Sequence, residues 1–118
     1  MKTISIVENS DFKRAYYRGK NFPSPYVVMY CRKNGQKINR LGLTTSKKIG
    51  NAVMRNRSRR VLREAFFRLE DSLHEGYDIV LVARGKTPYV KSTQVYSELY
   101  KLFEMAKMIK SPSERQES

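Results

Sequence analysis

The stretch YDIVLVAR, Tyr77 to Arg84, constrains the fold of this chain more than any other. Its core, Ile79 to Ala83, is five consecutive apolar residues. A strand of that kind carries hydrophobic side chains on both faces, so it belongs in the centre of a sheet that is covered on both sides. The rest of the chain must supply the covers and the neighbouring strands.

Helical covers are legible at three places. Asn9, Ser10 and Asp11 offer N-cap oxygens before FKRAYYRG, and Gly19 supplies a stop. Phe12, Ala15 and Tyr16 fall on one face of that helix, away from Lys13, Arg14 and Arg18. Leu62, Ala65, Phe66, Leu69 and Leu73 form an apolar stripe at i, i+3, i+4, i+7 and i+11, and Gly76 closes this second helix. Val95, Leu99, Leu102, Phe103 and Ala106 make a third stripe. Pro23 and Pro25 introduce an extended run, YVVMYCRK. Alternation puts Tyr26, Val28, Tyr30 and Arg32 on one of its faces and Val27, Met29 and Cys31 on the other. Asn34-Gly35 is a hairpin signal, so INRLGLTTS is expected to return as an antiparallel partner. In that strand Leu41, Leu43 and Thr45 oppose Arg40, Gly42, Thr44 and Ser46. The order α-β-β-α-β-α, with a further short strand near residues 20–23, gives an α+β sandwich containing one β-α-β unit.

A chain of 118 residues is one domain, here 1–118, with an ordered core over about 9–109. Residues 1–8 and a tail over 110–118 are expected to be loose. The single cysteine, Cys31, leaves no internal disulfide or Cys-rich zinc site and reads as a small buried hydrophobe in a reducing compartment. No apolar run is long enough to span a bilayer, and no secretory signal stands at the N-terminus, so a cytoplasmic protein with no membrane partner is expected.

Charge names the class of partner. The formal net charge is +13. Between Asp11 and Glu64 there is no acidic residue, while residues 12–63 hold fifteen Lys or Arg. Such a one-sided field suits a polyanion. Its densest part is KKIGNAVMRNRSRRVLR, residues 47–63, where seven of seventeen residues are basic and none acidic. Traced backwards, the stripe from Leu62 to Leu73 meets Arg59, Arg55 and Asn51, so the anchoring face ends near Val61. Arg55, Arg57, Arg59 and Arg60 cannot all be buried without acids to pair them. Guanidinium groups suit bidentate recognition of phosphate, and Asn51, Asn56 and Ser58 add neutral hydrogen bonds.

Aromatics give a second signal. Phe12 and Tyr16 share a helix face, and Tyr26, Val28 and Tyr30 a strand face. The residues alone leave two readings open: core packing of helix on sheet, or a shallow aromatic cleft flanked by Arg14, Arg18 and Arg32 that takes single-stranded nucleotides. No catalytic constellation accompanies either. A metal-dependent nuclease needs convergent carboxylates, and the basic half has none. Glu70, Asp71, Glu75 and Asp78 read as a solvated patch, and His74, the one histidine, as an ordinary surface residue. No catalytic and no metal-binding residue is therefore expected in the chain.

The segment SKKIGNAVMRNRSRRVLREAF, residues 46–66, closely resembles the "RNR" signature of the protein subunit of bacterial ribonuclease P. SDFKRAYYRGK, YVVMY, LGLTTSKK and YDIVLVAR stand where that family has its first helix and its strands, so the resemblance covers residues 9–109. It implies an α-β-β-β-α-β-α fold with a left-handed β-α-β crossover, an exception to the usual hand. It implies an RNA-dependent endoribonuclease that removes the 5′ leader of precursor tRNA, with catalysis carried by the RNA subunit. Mg²⁺ would be held mainly by that RNA and the substrate, and no obligate protein partner is implied. By position, Lys47, Lys48, Asn51, Arg55, Asn56, Arg57, Arg59, Arg60 and Arg63 would face the RNA subunit. Phe12, Tyr16, Val28 and Tyr30, with Arg14 and Arg32 beside them, would form the cleft for the leader. Tyr16 stands where the family often has Phe. A general RNA-binding module and a protein-only nuclease are the competing classes, the second disfavoured by the missing carboxylates.

Overall fold

The computed structural model describes residues 3–111. Among these the elements run β1 (Ile4–Ser5), α1 (Asn9–Arg18), β2 (Lys20–Pro23), β3 (Val27–Lys33), β4 (Arg40–Thr44), α2 (Ala52–Leu69), β5 (Tyr77–Ala83) and α3 (Ser92–Met105). Single 3-10 turns at Lys47–Ile49, Glu70–Ser72 and Thr87–Tyr89 join them. The strands form one mixed sheet in the order β1-β4-β5-β3-β2.

As its two apolar faces require, β5 is central: antiparallel to β3, parallel to β4, with Asp78 to Leu81 wholly enclosed. One face of the sheet, carrying Val27, Met29, Cys31, Leu41, Ile79, Leu81 and Ala83, meets α2 and α3 through Leu62, Phe66, Leu99 and Phe103. The other face meets α1 in a smaller core of Ile6, Ala15 and Val80. Strands β4 and β5 with α2 between them are the expected β-α-β unit, and the expected extra strand is β2.

The hairpin expected from Asn34-Gly35 does not form. The turn itself is present, with Gly35 at φ 73° and Asn34 Oδ1 accepting from the Gln36 amide at 2.8 Å. Its strands do not pair, because β5 lies between them. An all-apolar strand needs backbone partners along both edges, and inserting it between β3 and β4 supplies both.

The ends are also better held than their composition suggests. Ile4 and Ile6 donate backbone hydrogen bonds to Asn39 and Leu41 at 3.1 and 2.9 Å, so β1 covers the free edge of β4, and Ile6 is buried under α1. Two residues are too few to show a period, hence the expectation of looseness there. At the other end Ile109 bridges to Leu73, and the Lys110 amide donates to Ser72 at 2.7 Å. Residues 1–2 and 112–118 of the expected loose ends lie outside the described residues. The second helix stops at Leu69, four residues before its expected end, but Leu73 still reaches the core through the 3-10 turn. Tyr26 precedes β3 and packs with the α2/α3 core rather than with Val28 and Tyr30.

Candidate nucleic-acid interface

The chain leaves β4 at Thr44, makes the Lys47–Ile49 turn and enters α2 through Gly50, whose φ of 134° favours glycine. Asn51 caps the helix, its Oδ1 accepting from the Met54 amide at 3.0 Å. Arg55 Nη1 folds back to the Gly50 carbonyl at 2.7 Å. The basic segment is thus a structured helix start at the C-terminal ends of the parallel pair β4 and β5.

The buried stripe of α2 continues one turn beyond Val61, to a fully enclosed Ser58 whose hydroxyl bonds the Met54 carbonyl at 3.0 Å. A small residue allows this turn of α2 to pack closely, and the adjacent Arg57 Nε donates to the Pro88 carbonyl at 2.6 Å. The cations fan around the remaining surface. Lys47, Lys48, Asn51, Asn56, Arg57, Arg60 and Arg63 are exposed, and Arg55 and Arg59 are half-buried. Arg59 Nη1 bonds Asn56 Oδ1 at 2.9 Å. Among the described residues none of the seven Lys and Arg of this segment forms an ion pair. Arg57 and Arg60 border a groove of about 420 Å³ against Val90 to Thr93. On the opposite flank Arg59 and Arg63 border one of about 290 Å³ with Phe12, Leu43 and Phe67.

That second groove joins the basic helix to the aromatic face. Phe12, Tyr16, Tyr30 and Val82 lie half-buried around the small core. The Tyr16 and Tyr30 rings meet edge to face, with centroids 4.9 Å apart at 80°. Tyr16 also shares a hydrogen bond with Thr44 Oγ1 at 3.1 Å. Val28, half-buried, stands opposite Val82 in the sheet. These side chains therefore pack on the sheet and present a partly open surface at once.

Arg14 is not with them, whereas Arg32 follows Val28 and Tyr30 on one face of β3. On a helix turning 100° per residue, Arg14 is on the side of α1 opposite Phe12 and Tyr16. It pairs with Asp11 at 2.8 Å, and Arg32 stands opposite Asp78 in the sheet. Asp78 itself is completely buried, not solvated as expected from its acidic surroundings in sequence. Arg40 meets it with Nε and Nη2, both at 2.7 Å, and also reaches Asp11 at 3.3 Å; Asn34 adds a bond of 3.0 Å. Burial alone would raise the Asp78 carboxyl, but the hydrogen bonds from Arg40 and Asn34 outweigh it and hold the group below its usual range. The same contacts push the Arg40 guanidinium further up. Burial pushes the Cys31 thiol up to about 11, so it stays protonated and inert. His74 is half-buried, with its amide bonded to the Met108 carbonyl at 2.8 Å.

Three cations at this end of the sheet escaped the sequence reading. Arg84, Lys86 and Lys91 are exposed beside the Thr87–Tyr89 turn that Arg57 grips. Their signal was available: residues 79–97 are a second acid-free run. Among the described residues no three His, Cys, Asp or Glu are grouped as a metal ion would require. None of the helices among them is long and apolar enough to cross a membrane.

Known proteins resemble this chain in sequence and in fold. A family model described as Ribonuclease P matches residues 1–107. The ribonuclease P protein component of Lachnoclostridium phytofermentans is 42% identical over 108 residues, covering 91% of this chain and 92% of the relative. That of Caldanaerobacter subterraneus subsp. tengcongensis is 46% identical over 85 residues, 72% of this chain and 73% of the relative. Among solved structures, the Staphylococcus aureus RNase P protein superposes with a TM-score of 0.78 at 32% identity, covering 89% of this chain and 96% of the other. The Thermotoga maritima RNase P protein gives 0.70 at 34% identity, covering 78% and 87%.

Proposed function

Because this chain belongs to the family of bacterial ribonuclease P protein components, we propose that its α2 segment binds the RNA subunit while its aromatic face receives the 5′ leader of precursor tRNA. The observation that carries the reading is the helix start, where seven cations stand without a carboxylate partner among the described residues and two of them, Arg59 and Arg63, share a groove with Phe12 of the half-open aromatic face.

Lys47, Lys48, Arg55, Arg57, Arg59, Arg60 and Arg63 neutralise phosphates of the RNA subunit, with Asn51 and Asn56 as neutral donors between them. Phe12, Tyr16, Val28 and Tyr30 offer π faces and apolar surface to unstacked leader bases, a mode that tolerates varied sequence. Phe12 shares a groove with Arg59 and Arg63, so a leader base on the ring has a guanidinium within reach for its phosphate. Arg14, paired with Asp11 on the far side of α1, contributes field rather than direct contact, while Arg32 continues the row of Val28 and Tyr30 at the edge of the face. The protein therefore supplies binding energy and lowers repulsion between two RNAs in a cytoplasmic ribonucleoprotein, while bond cleavage rests with the RNA subunit and its Mg²⁺.

The test is precursor tRNA incubated with the protein, with a bacterial ribonuclease P RNA, or with both, at low Mg²⁺. Leader removal by the pair at a Mg²⁺ concentration where neither suffices alone is the expected outcome. Cleavage by the protein alone would make it a nuclease in its own right. RNA binding without any gain in cleavage would make it a general RNA-binding module.

A further inference from the structure

A second cationic surface lies at the other end of the sheet. Lys33 is the last residue of β3 and stands opposite Tyr77, the first of β5, so both are remote from the C-terminal ends of β4 and β5 where α2 begins. Around this end Arg18, Lys20, Arg32, Lys33 and Lys107 enclose a concavity of about 360 Å³ floored by Cys31, Tyr77 and Ala106. No carboxylate lines it. Arg32 has Asp78 beside it, but the other four are exposed and form no ion pair among the described residues. A merely solvated cation of this molecule is Lys101, with Glu98 one turn away at 3.9 Å. Five cations from four parts of the chain, converging on one hollow, differ from that pattern.

Lys107 adds an independent sign. It ends α3 in the left-handed region at φ 59°, with its amide on the Glu104 carbonyl at 3.0 Å and that of Met108 on Phe103 at 2.9 Å. Glycine takes this position of a helix end most readily, and lysine adopts it against steric resistance. A cation at a helix C-terminus suits the macrodipole, and the turn at Lys107 sets this one on the wall of the hollow.

We propose that this hollow is a second phosphate-backbone site, holding RNA at the end of the sheet opposite α2. The inference takes only its ligand class from the ribonuclease P reading. Lys20, Lys33 and Lys107 provide point charges for successive phosphates, Arg18 a planar fork, and Tyr77 an aromatic floor. With α2 on one RNA segment and this hollow on another, the protein bridges two stretches of backbone. The second stretch belongs either to the RNA subunit or to the substrate.

The test variant is K20Q/K33Q/K107G, measured for affinity to the RNA subunit and, as reconstituted holoenzyme, to precursor tRNA over a range of salt. Its melting temperature is expected to hold or rise, because the change at Lys107 relieves the left-handed backbone, while one of the two affinities falls at least tenfold. The salt slope of that affinity should flatten by about 2, from three contacts at ~0.7 each. A fall for the RNA subunit assigns the backbone to that RNA, and a fall confined to precursor tRNA assigns it to the substrate. The pair K20Q/K33Q leaves the helix end untouched and should show the same effect at smaller size. Wild-type affinity and slope for both ligands in both variants would overturn the proposal and leave a solvated surface. An Arg55→Ala/Arg57→Ala variant run in parallel separates this failure from failure of the α2 reading, which would show as unchanged affinity for the RNA subunit.

Discussion

Asp78 holds its charge inside the sheet because Arg40 and Asn34 surround it with three hydrogen bonds of 2.7 to 3.0 Å. Asp78→Ala leaves Arg40 partly buried with only the longer contact to Asp11, and breaking such a pair costs about 3 kcal/mol. Urea unfolding should show that loss with an unchanged denaturant slope, and a loss well under 1 kcal/mol would mean that Arg40 simply swings into water. The pH dependence has a defined sign. A carboxyl held below its unfolded value of 3.8 contributes fully above that pH and loses its contribution as pH falls through the lower folded value. Acid unfolding of Asp78→Ala should therefore lack a transition that the wild type shows below about pH 4. No local pattern points to this pair. Asp78 and Arg40 are far apart in the chain, and Asp78 sits among acids that are solvent-facing or differently bonded.

At the scale of elements, α2 separates its duties by face. Ser58, Val61, Leu62, Ala65, Phe66 and Leu69 anchor it, so Arg55, Arg57 and Arg59 can change without emptying the core. Their joint replacement by Ala should lower affinity for the RNA subunit by at least a hundredfold and flatten its salt slope by up to about 3, at ~0.9 per contact. The melting temperature should fall only slightly, for the surface bonds of Arg55 to Gly50, Arg57 to Pro88 and Arg59 to Asn56 that are lost. Unchanged affinity would reject the assignment of α2. The aromatic face differs, because its residues both pack and face outward. Tyr30→Ala removes an edge-to-face partner of Tyr16 and should cost about 2–3 kcal/mol of stability. Among the molecules that remain folded, it should weaken binding of long-leader substrates more than of mature tRNA. Tyr30→Phe keeps the ring and should restore both. If Tyr30→Ala weakens the two ligands equally, the face is core and nothing more. Sequence periodicity could identify Phe12 and Tyr16 as one face, and Tyr30 as inward or outward. It could not decide between packing and exposure, because half-burial has no signature in a pattern of apolar residues.

For the whole molecule, the net charge of +13 predicts that holoenzyme assembly is governed by salt. If most of the seven cations of residues 47–63 meet phosphates, log affinity should fall by about 4 to 6 per decade of salt. Filter binding across a tenfold salt range measures it, and a slope below about 2 would show that the segment is not the interface. The distribution of that charge was open to reading from the chain alone, since an acid-free run needs no fold to be seen. So were the central place of Ile79 to Ala83 and the three helical stripes, because each rests on local spacing. Tertiary structure alone decided which strands are neighbours. Asn34-Gly35 turns the chain as its residues demand, but the second edge of β3 goes to β5, because a strand apolar on both faces gains most from the middle of the sheet. Long-range closure likewise set β1 on the edge of β4 and Arg40 on Asp78. Local spacing determines what each element is. Which elements touch depends on burying every apolar face and pairing every buried charge at once, and no single stretch of the chain contains that condition.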